Sequence, residues 1–534
     1  MAALACAIGL TVKYGSAYRP VVEPVREIEE IWALEDAREE SEEPLVTRLF
    51  CNGVPMAYDA ENNVFYGSLG LENGAQWPEI KLTASEETAK GLSLCFADDY
   101  GFDDCDAAIR EGYSYQIFAY TDTAYSYAEV VFTGLPLVNV TAEQTIERED
   151  VPAQIEIALA AEGLQTNGRI HKRGGASILN DKVGYKLEFT RTTDGKKKIY
   201  REIPGMGTDS QVILLPMNAL DTTMMRDRLS WALYARLTRR DEPFSARKTQ
   251  YCELFLNGEY RGVYLMLEPF SVRQEVAKAG EERLTTDSVY RTAVISLSHG
   301  RPCMEDPYSA ATGFELYYPM DGEPDFSPLA DYFALLGETD DAAFMRRAAQ
   351  SIDLDSALRY DVVLQLFGLT DNVINNMYTW AQNSRGHTRY RFDFWDLDVS
   401  WGLKRDEIGE MHENWVFFPL VDRLLRADEE GGVRQRYGEI YREVREKAFD
   451  TEMVEALVGQ YAHELNDSGA MARNAERWET ENYAADGYEL VAFAAERIAL
   501  LDEPVRAMSA GEEIDLRFLE KTNYDDKGTP LSEE

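Results

Sequence analysis

The chain has 534 residues, 45% of them hydrophobic, and 54 basic against 95 acidic side chains give a net charge of −41. Its apolar fraction belongs to a folded protein, its length calls for two or three packed units, and no stretch is long enough to span a bilayer. The acid excess keeps the chain in solution, repels nucleic acid and anionic lipid, and would attract basic partners or divalent cations.

Residues 2–12 are largely apolar, and Gly15-Ser16-Ala17 offers the small residues a signal peptidase cleaves after. No positive charge precedes the apolar run, so a first strand or a tail competes with the export signal that we expect here. Residues 19–44 are acidic and punctuated by prolines, which reads as a linker with a helical turn or two around 28–37, closing an N-terminal segment at 1–45. Between 46 and 136, short alternating runs such as L-S-L-C-F-A and Y-S-Y-Q-I-F-A-Y are separated by turn residues, the pattern of a small β-sandwich. None of the six cysteines forms a C-x-x-C pair, which argues against a zinc module. Cys95 and Cys105 are ten residues apart and suit either a short disulfide loop or two unpaired small hydrophobes.

A larger unit is expected over 137–508, with a first lobe at about 137–270, an insertion at about 271–350 and a second lobe at about 351–508. The run P-A-Q-I-E-I-A-L-A reads as a strand. Arg173-Gly174-Gly175-Ala176-Ser177 then forms a glycine turn, followed by the strand G-Y-K-L-E-F-T with Lys186. A basic glycine turn next to a strand lysine can hold phosphates through backbone N–H groups and an ammonium. Residues 221–238 have the apolar spacing of an amphipathic helix capped by Asp221, and Asn257-Gly258 makes a hairpin of the strands on either side. Residues 353–369 read as a buried helix that delivers Asp371, and four helical patterns follow residue 402. The tail, 509–534, is charged and reads as loose.

The chemistry concentrates at 369–402. Asn376 follows Asp371 by five positions, and Asp396 comes about two dozen residues later, at the end of an apolar strand. A phosphotransferase catalytic loop has this spacing, with an aspartate for the substrate hydroxyl, an asparagine for a metal, and a further aspartate for the metal that bridges the nucleotide phosphates. If the strand continues, Asp396 and Asp398 share one face and one metal can draw on both; a turn after Trp395 would splay them. Tyr378, Trp380, Phe394, Trp395 and Trp401 are expected in the core.

The loop D-N-V-I-N-N-M-Y and the strand end F-W-D-L-D-V-S-W-G resemble the spore-coat protein H (CotH) kinase-like family. The stretches R-G-G-A-S with Y-K-L-E-F, and N-G-E-Y-R-G-V-Y, fit in the same order. The resemblance covers roughly residues 135–505 and implies an α+β, atypical protein-kinase-like two-lobed fold behind the N-terminal β-sandwich-like domain. It implies a kinase that uses ATP and Mg²⁺ or Mn²⁺ on Ser or Thr of a secreted or coat protein. Carried over by position, Asp371 is the catalytic base, and Asn376, Asp396 and Asp398 are metal ligands. Lys186, Arg173, Gly174 and Ser177 bind the nucleotide, with Lys182 as an alternative to Lys186. The pattern also departs from that of protein kinases: no His-Arg precedes Asp371, no D-F-G follows it, and the 221–238 helix offers Asp221 and Asp227 but no glutamate to pair with the lysine. An interaction protein without turnover is the alternative, and a basic, Ser/Thr-rich protein is the expected partner.

Overall fold

The computed structural model describes residues 21–70, 80–85, 91–97, 109–174, 176–217, 221–239, 242–271, 275, 287–292, 314–318, 325–384, 387–403 and 415–512. The expected export segment, Cys105 and the tail beyond residue 512 lie outside these. The fold is mixed α+β.

The first unit is a seven-stranded sheet that shares its core with a three-stranded one. Leu49, Cys51 and Leu82 of the small sheet pack against Phe65, Ile117, Val130 and Phe132 of the large one. The helical turns expected around 28–37 form the helix Ile28–Glu35, while the flanking residues 22–26 and 39–40, expected as linker, pair into the large sheet. Val22–Arg26 pairs in parallel with Ser93–Ala97, and the helix Ile28–Glu35 buries Ile31 completely against Cys95, Ala97 and Phe118. The buried Val22 and Ile31 and the partly buried Leu34 outweigh an acidic composition, because the charged residues between them stay in water. Cys95 is a buried free thiol.

The second unit is a closed seven-stranded barrel. Its order is Leu137–Thr141, Val151–Leu159, Glu162–Arg173, Gly184–Thr190, Gln211–Leu215, Glu259–Leu267 and Thr249–Leu256. Every neighbouring pair is antiparallel except the closing one, between Leu137–Thr141 and Thr249–Leu256. Asn257 and Gly258 both have positive φ, as the two-residue turn of a tight hairpin requires. Alternation explains the apolar run in Gln211–Leu215: Val212 and Leu214 fill the barrel, while Ile213 and Leu215 point out into the helical half.

That half is built around the helix Leu354–Phe367, capped by Asp353 at its start and by left-handed Gly368 at its end. A Cβ on Gly368 would stand 2.7 Å from the Phe493 ring, so glycine is required there both for conformation and for room. The hairpin Met377–Ser384/His387–Phe394 lies beside it and is extended to four strands by Ser288–Thr292 and Phe314–Tyr318. The helices Gly432–Ala448, Thr451–Asp467, Ala470–Trp478 and Tyr488–Ser509 complete the unit. Tyr378, Trp380, Phe394, Trp395 and Trp401 are all buried. The helix expected at 221–238 is confined to Arg226–Tyr234. Asp221 is not its N-cap, but it accepts the Arg226 N–H at 3.1 Å from five residues upstream.

Asp361, in the buried helix, accepts the Tyr437 hydroxyl at 2.8 Å, and burial pushes its carboxyl up to about 7. The native state therefore keeps a proton there that the unfolded chain has lost, so its share of stability falls as pH rises from about 4 to about 7. In Asp361→Asn the thermal midpoint should fall less steeply over that interval; identical slopes would show that Asp361 ionises in the fold.

Candidate functional site

The site forms where three elements end. After Gly368 the chain enters the single turn Asp371–Ile374, and the Asp371 carboxylate accepts the Asn376 side-chain amide at 2.8 Å and that of Asn375 at 3.4 Å. The hairpin's second strand stops at Phe394, and the Trp395 N–H donates to the Asn376 carbonyl at 3.0 Å. Asn376 and Asp396 are both left-handed, with φ of 54° and 56°. Asparagine and aspartate tolerate this conformation better than most residues, which lets the chain turn sharply at both points. The strand therefore ends before Asp396, so Asp396 and Asp398 are not alternate residues of one strand face, yet the charge of Asp396 still acts on Asp398.

Two residues that sequence reasoning did not assign hold this arrangement. Asn372 is completely buried and donates to the Asn376 carbonyl at 3.1 Å and the Trp395 carbonyl at 2.7 Å, tying the loop to the strand end. Asp227, from the helix Arg226–Tyr234, accepts the Leu397 N–H at 2.9 Å. Its only sequence signal is a carboxylate in the first turn of an amphipathic helix, a common feature that a search for glutamate passes over. Arg226 pairs with Asp221 and Glu489 and donates to the Ser400 carbonyl at 3.0 Å, so the same helix also grips the chain beyond Asp398.

Burial and mutual repulsion shift the carboxyl groups of this site. Burial pushes the Asp227 carboxyl up to about 8, reinforced by the charge of Asp396 and opposed by the Leu397 N–H. Withdrawal from water also drives the Asp398 carboxyl well above the usual range, with further repulsion from Asp396, Asp227, Asp371 and Asp221. Arg173 faces this group from the end of its barrel strand, its guanidinium 5.4 Å from the centre of the Trp395 ring. Burial lowers the Arg173 pKa, and Asp396 is the largest influence holding the proton on.

The family model described as CotH kinase protein matches residues 170–501. The chain belongs to the CotH kinase family. The CotH match begins inside the strand that carries Arg173 and ends in the last helix, so the N-terminal sheets lie outside it. No curated protein shows significant similarity.

The CotH region brings Asp371, Asn376, Asp396, Asp398 and Arg173 to one place. Gly174 has φ of 129°, and a Cβ there would meet the Ser177 hydroxyl at 2.4 Å, so the turn folds tightly over itself next to Arg173. Lys186 lies on the same outer face of the barrel, opposite His171 in the register. Burial and the neighbouring Lys198 lower its pKa, Asp150 opposes them, and no carboxylate hydrogen-bonds it among the described residues. Lys182 is taken up elsewhere, donating to the Val263 carbonyl at 2.6 Å and the Asn474 side chain at 2.7 Å. Among the described residues no three acidic, histidine or cysteine side chains are already spaced to ligate one ion. The donor set still fits a hard divalent cation, because several carboxylates repel one another here with Arg173 as the opposing charge, and oxygen donors suit Mg²⁺ or Mn²⁺.

Removing the Asn372 tie leaves the buried Trp395 carbonyl without that donor, a cost of about 1–3 kcal/mol, while the Asn376 carbonyl still accepts the Trp395 N–H. Asn372→Ala should lower the free energy of denaturant unfolding by an amount in that range. An unchanged unfolding curve would mean that the loop and strand end hold together without it.

Proposed function

We propose that this CotH family protein transfers the γ-phosphate of ATP, with Mg²⁺ or Mn²⁺, to Ser or Thr of an extracytoplasmic or coat protein. The observation that carries this reading is the meeting of Asp371, Asn376, Asp396 and Asp398 around two left-handed turns, with Arg173 facing them. Phosphoryl transfer asks little covalent chemistry of a protein beyond fixed charges, alignment and a proton acceptor.

Asp371, oriented by the Asn376 amide, takes the proton of the attacking hydroxyl. The hydroxyl oxygen bonds to the γ-phosphorus as the bond to the ADP oxygen breaks. Asn376, Asp396 and Asp398 would hold the divalent ion, with Asp227 near enough to Asp396 to influence it. When bound, the ion offsets charge on the phosphate oxygens. Arg173 and Lys186 add positive charge on the barrel side, and Gly174 and Ser177 shape the turn that approaches the phosphates. No helix among the described residues is long and apolar enough to cross a membrane. The extracytoplasmic setting rests on the N-terminal sequence pattern and on the family.

A second reading, a kinase-like interaction protein without turnover, draws on Lys186, which has no carboxylate hydrogen-bonded to it among the described residues. Calorimetry with ATP and Mg²⁺ separates the two. The wild type should bind ATP only with the metal, Asp396→Ala should weaken binding at least about tenfold (the loss of one charged contact), and Asp371→Asn should bind but transfer no phosphate. Absence of binding with either Mg²⁺ or Mn²⁺ would favour the interaction protein. The net charge of −41 leads to a further expectation, that basic Ser-rich peptides are phosphorylated faster than acidic ones, most of all at low salt. Equal rates would remove charge from substrate selection.

A further inference from the structure

We propose that a cavity of about 400 Å³ behind the catalytic hairpin binds a small organic oxyanion, a phosphate or carboxylate on an apolar body, through Arg359 and the Tyr234 hydroxyl. Phe244, Tyr360, Arg391 and Phe392 are among the residues that line it, and its volume is within the range of small-molecule sites. None of Asp227, Asp371, Asp396, Asp398 and Arg173 lines it. Phe394 lies between the two places, stacked on Tyr360 at 4.1 Å and meeting Tyr234 edge-on at 5.3 Å.

The hydrogen-bond donors left open in the cavity, not its overall charge, point to an anion. Three acids line the cavity, and each has a basic partner: Asp353 with Arg391 at 2.8 Å, Asp355 with Arg436 at 2.7 Å, and Glu242 with Arg239 at 3.5 Å. Arg359 remains. It is half-buried, and although its charge acts on Asp355 and Glu443, its guanidinium makes no close ion pair and no hydrogen bond among the described residues. A guanidinium is always charged and presents paired donors that match a carboxylate or phosphate edge. Tyr234 adds a neutral donor. It is buried to all but 6%, it lines the cavity, and its hydroxyl has no hydrogen-bond partner among the described residues. Burial raises the phenol far above its ordinary value, so the O–H keeps its proton. The Ser356 hydroxyl, which accepts the Phe392 N–H at 3.3 Å, still has its own proton to give. The cavity also touches the helix that carries Asp227, through Tyr234, and the elements that precede Asp371 and Asp396, through Tyr360 and Phe392.

Phenyl phosphate, phenylacetate and inorganic phosphate, titrated by calorimetry into the full chain without nucleotide, test the assignment. At least one aromatic anion should bind saturably and more tightly than inorganic phosphate. Affinity should fall at least about tenfold in Arg359→Gln and by a smaller factor in Tyr234→Phe, and should be unchanged in Arg173→Gln. Both cavity variants should keep the wild-type thermal midpoint, since neither group makes a bond that the fold would lose. Binding that survives both cavity substitutions, binding lost only in Arg173→Gln, or no saturable binding to the wild type would each overturn the proposal. Inorganic phosphate binding as tightly as the aromatic anions would overturn the part given to the apolar body.

Discussion

The arrangement depends on holding like charges together away from water. Asp227, Asp371, Asp396 and Asp398 repel one another, and Arg173 is the cation facing them. Such a cluster lowers stability by itself, and carboxylates left free to move would splay towards solvent. The surrounding backbone prevents that. The Asn372 amide spans two carbonyls, the Leu397 N–H is fixed on Asp227, and Arg226 grips Asp221, Glu489 and the Ser400 carbonyl. The strain of two left-handed polar residues is part of the same cost, at a place where strain is associated with function.

The barrel and the helical half meet through the outer faces of barrel strands, and this is what brings Arg173 to the acids. Ile213, Leu215, Val263, Leu265 and Leu267 belong to the helical core, while their sequence neighbours Val212, Leu214, Tyr264 and Met266 fill the barrel. A buried ion pair strengthens the junction: Glu253, completely buried, accepts Arg473 through both oxygens and the Tyr260 hydroxyl at 2.7 Å. Arg473 also lies 5.5 Å from the centre of the Tyr66 ring, so the N-terminal sheets are joined to the same anchor. Lys182 adds a further tie between barrel and helices, a use of a lysine that strand pattern alone cannot distinguish from phosphate binding.

Much of the site was legible because it is local in sequence. The interval from Asp371 to Asn376, the apolar strand leading to Asp396, and the Asn-Gly hairpin are patterns of a few residues whose backbone preferences are strong. Asp227 was not legible, since its role depends on meeting the Leu397 N–H from 170 residues away. Asn372 stood in plain view beside Asp371, but nothing in its neighbours shows that its amide bridges two strand ends. The helix at 28–35 was legible from its pattern, but the strands at 22–26 and 39–40 were missed because composition was given more weight than the few apolar positions that become buried.

The sequence by itself determined the family, the alternation that makes the strands within 137–267, and the buried helix before Asp371. Those follow from local periodicity and from short motifs in which each residue acts through its immediate neighbours. Only the tertiary structure decided that the strands close into a barrel, that Lys182 is structural, that Asp227 joins the carboxylates, and that Arg359 and Tyr234 share a cavity without partners among the described residues. Each of these depends on contacts between residues far apart in the chain, and burial there changes the charge and hydrogen bonding available to a side chain in ways its sequence neighbours do not encode.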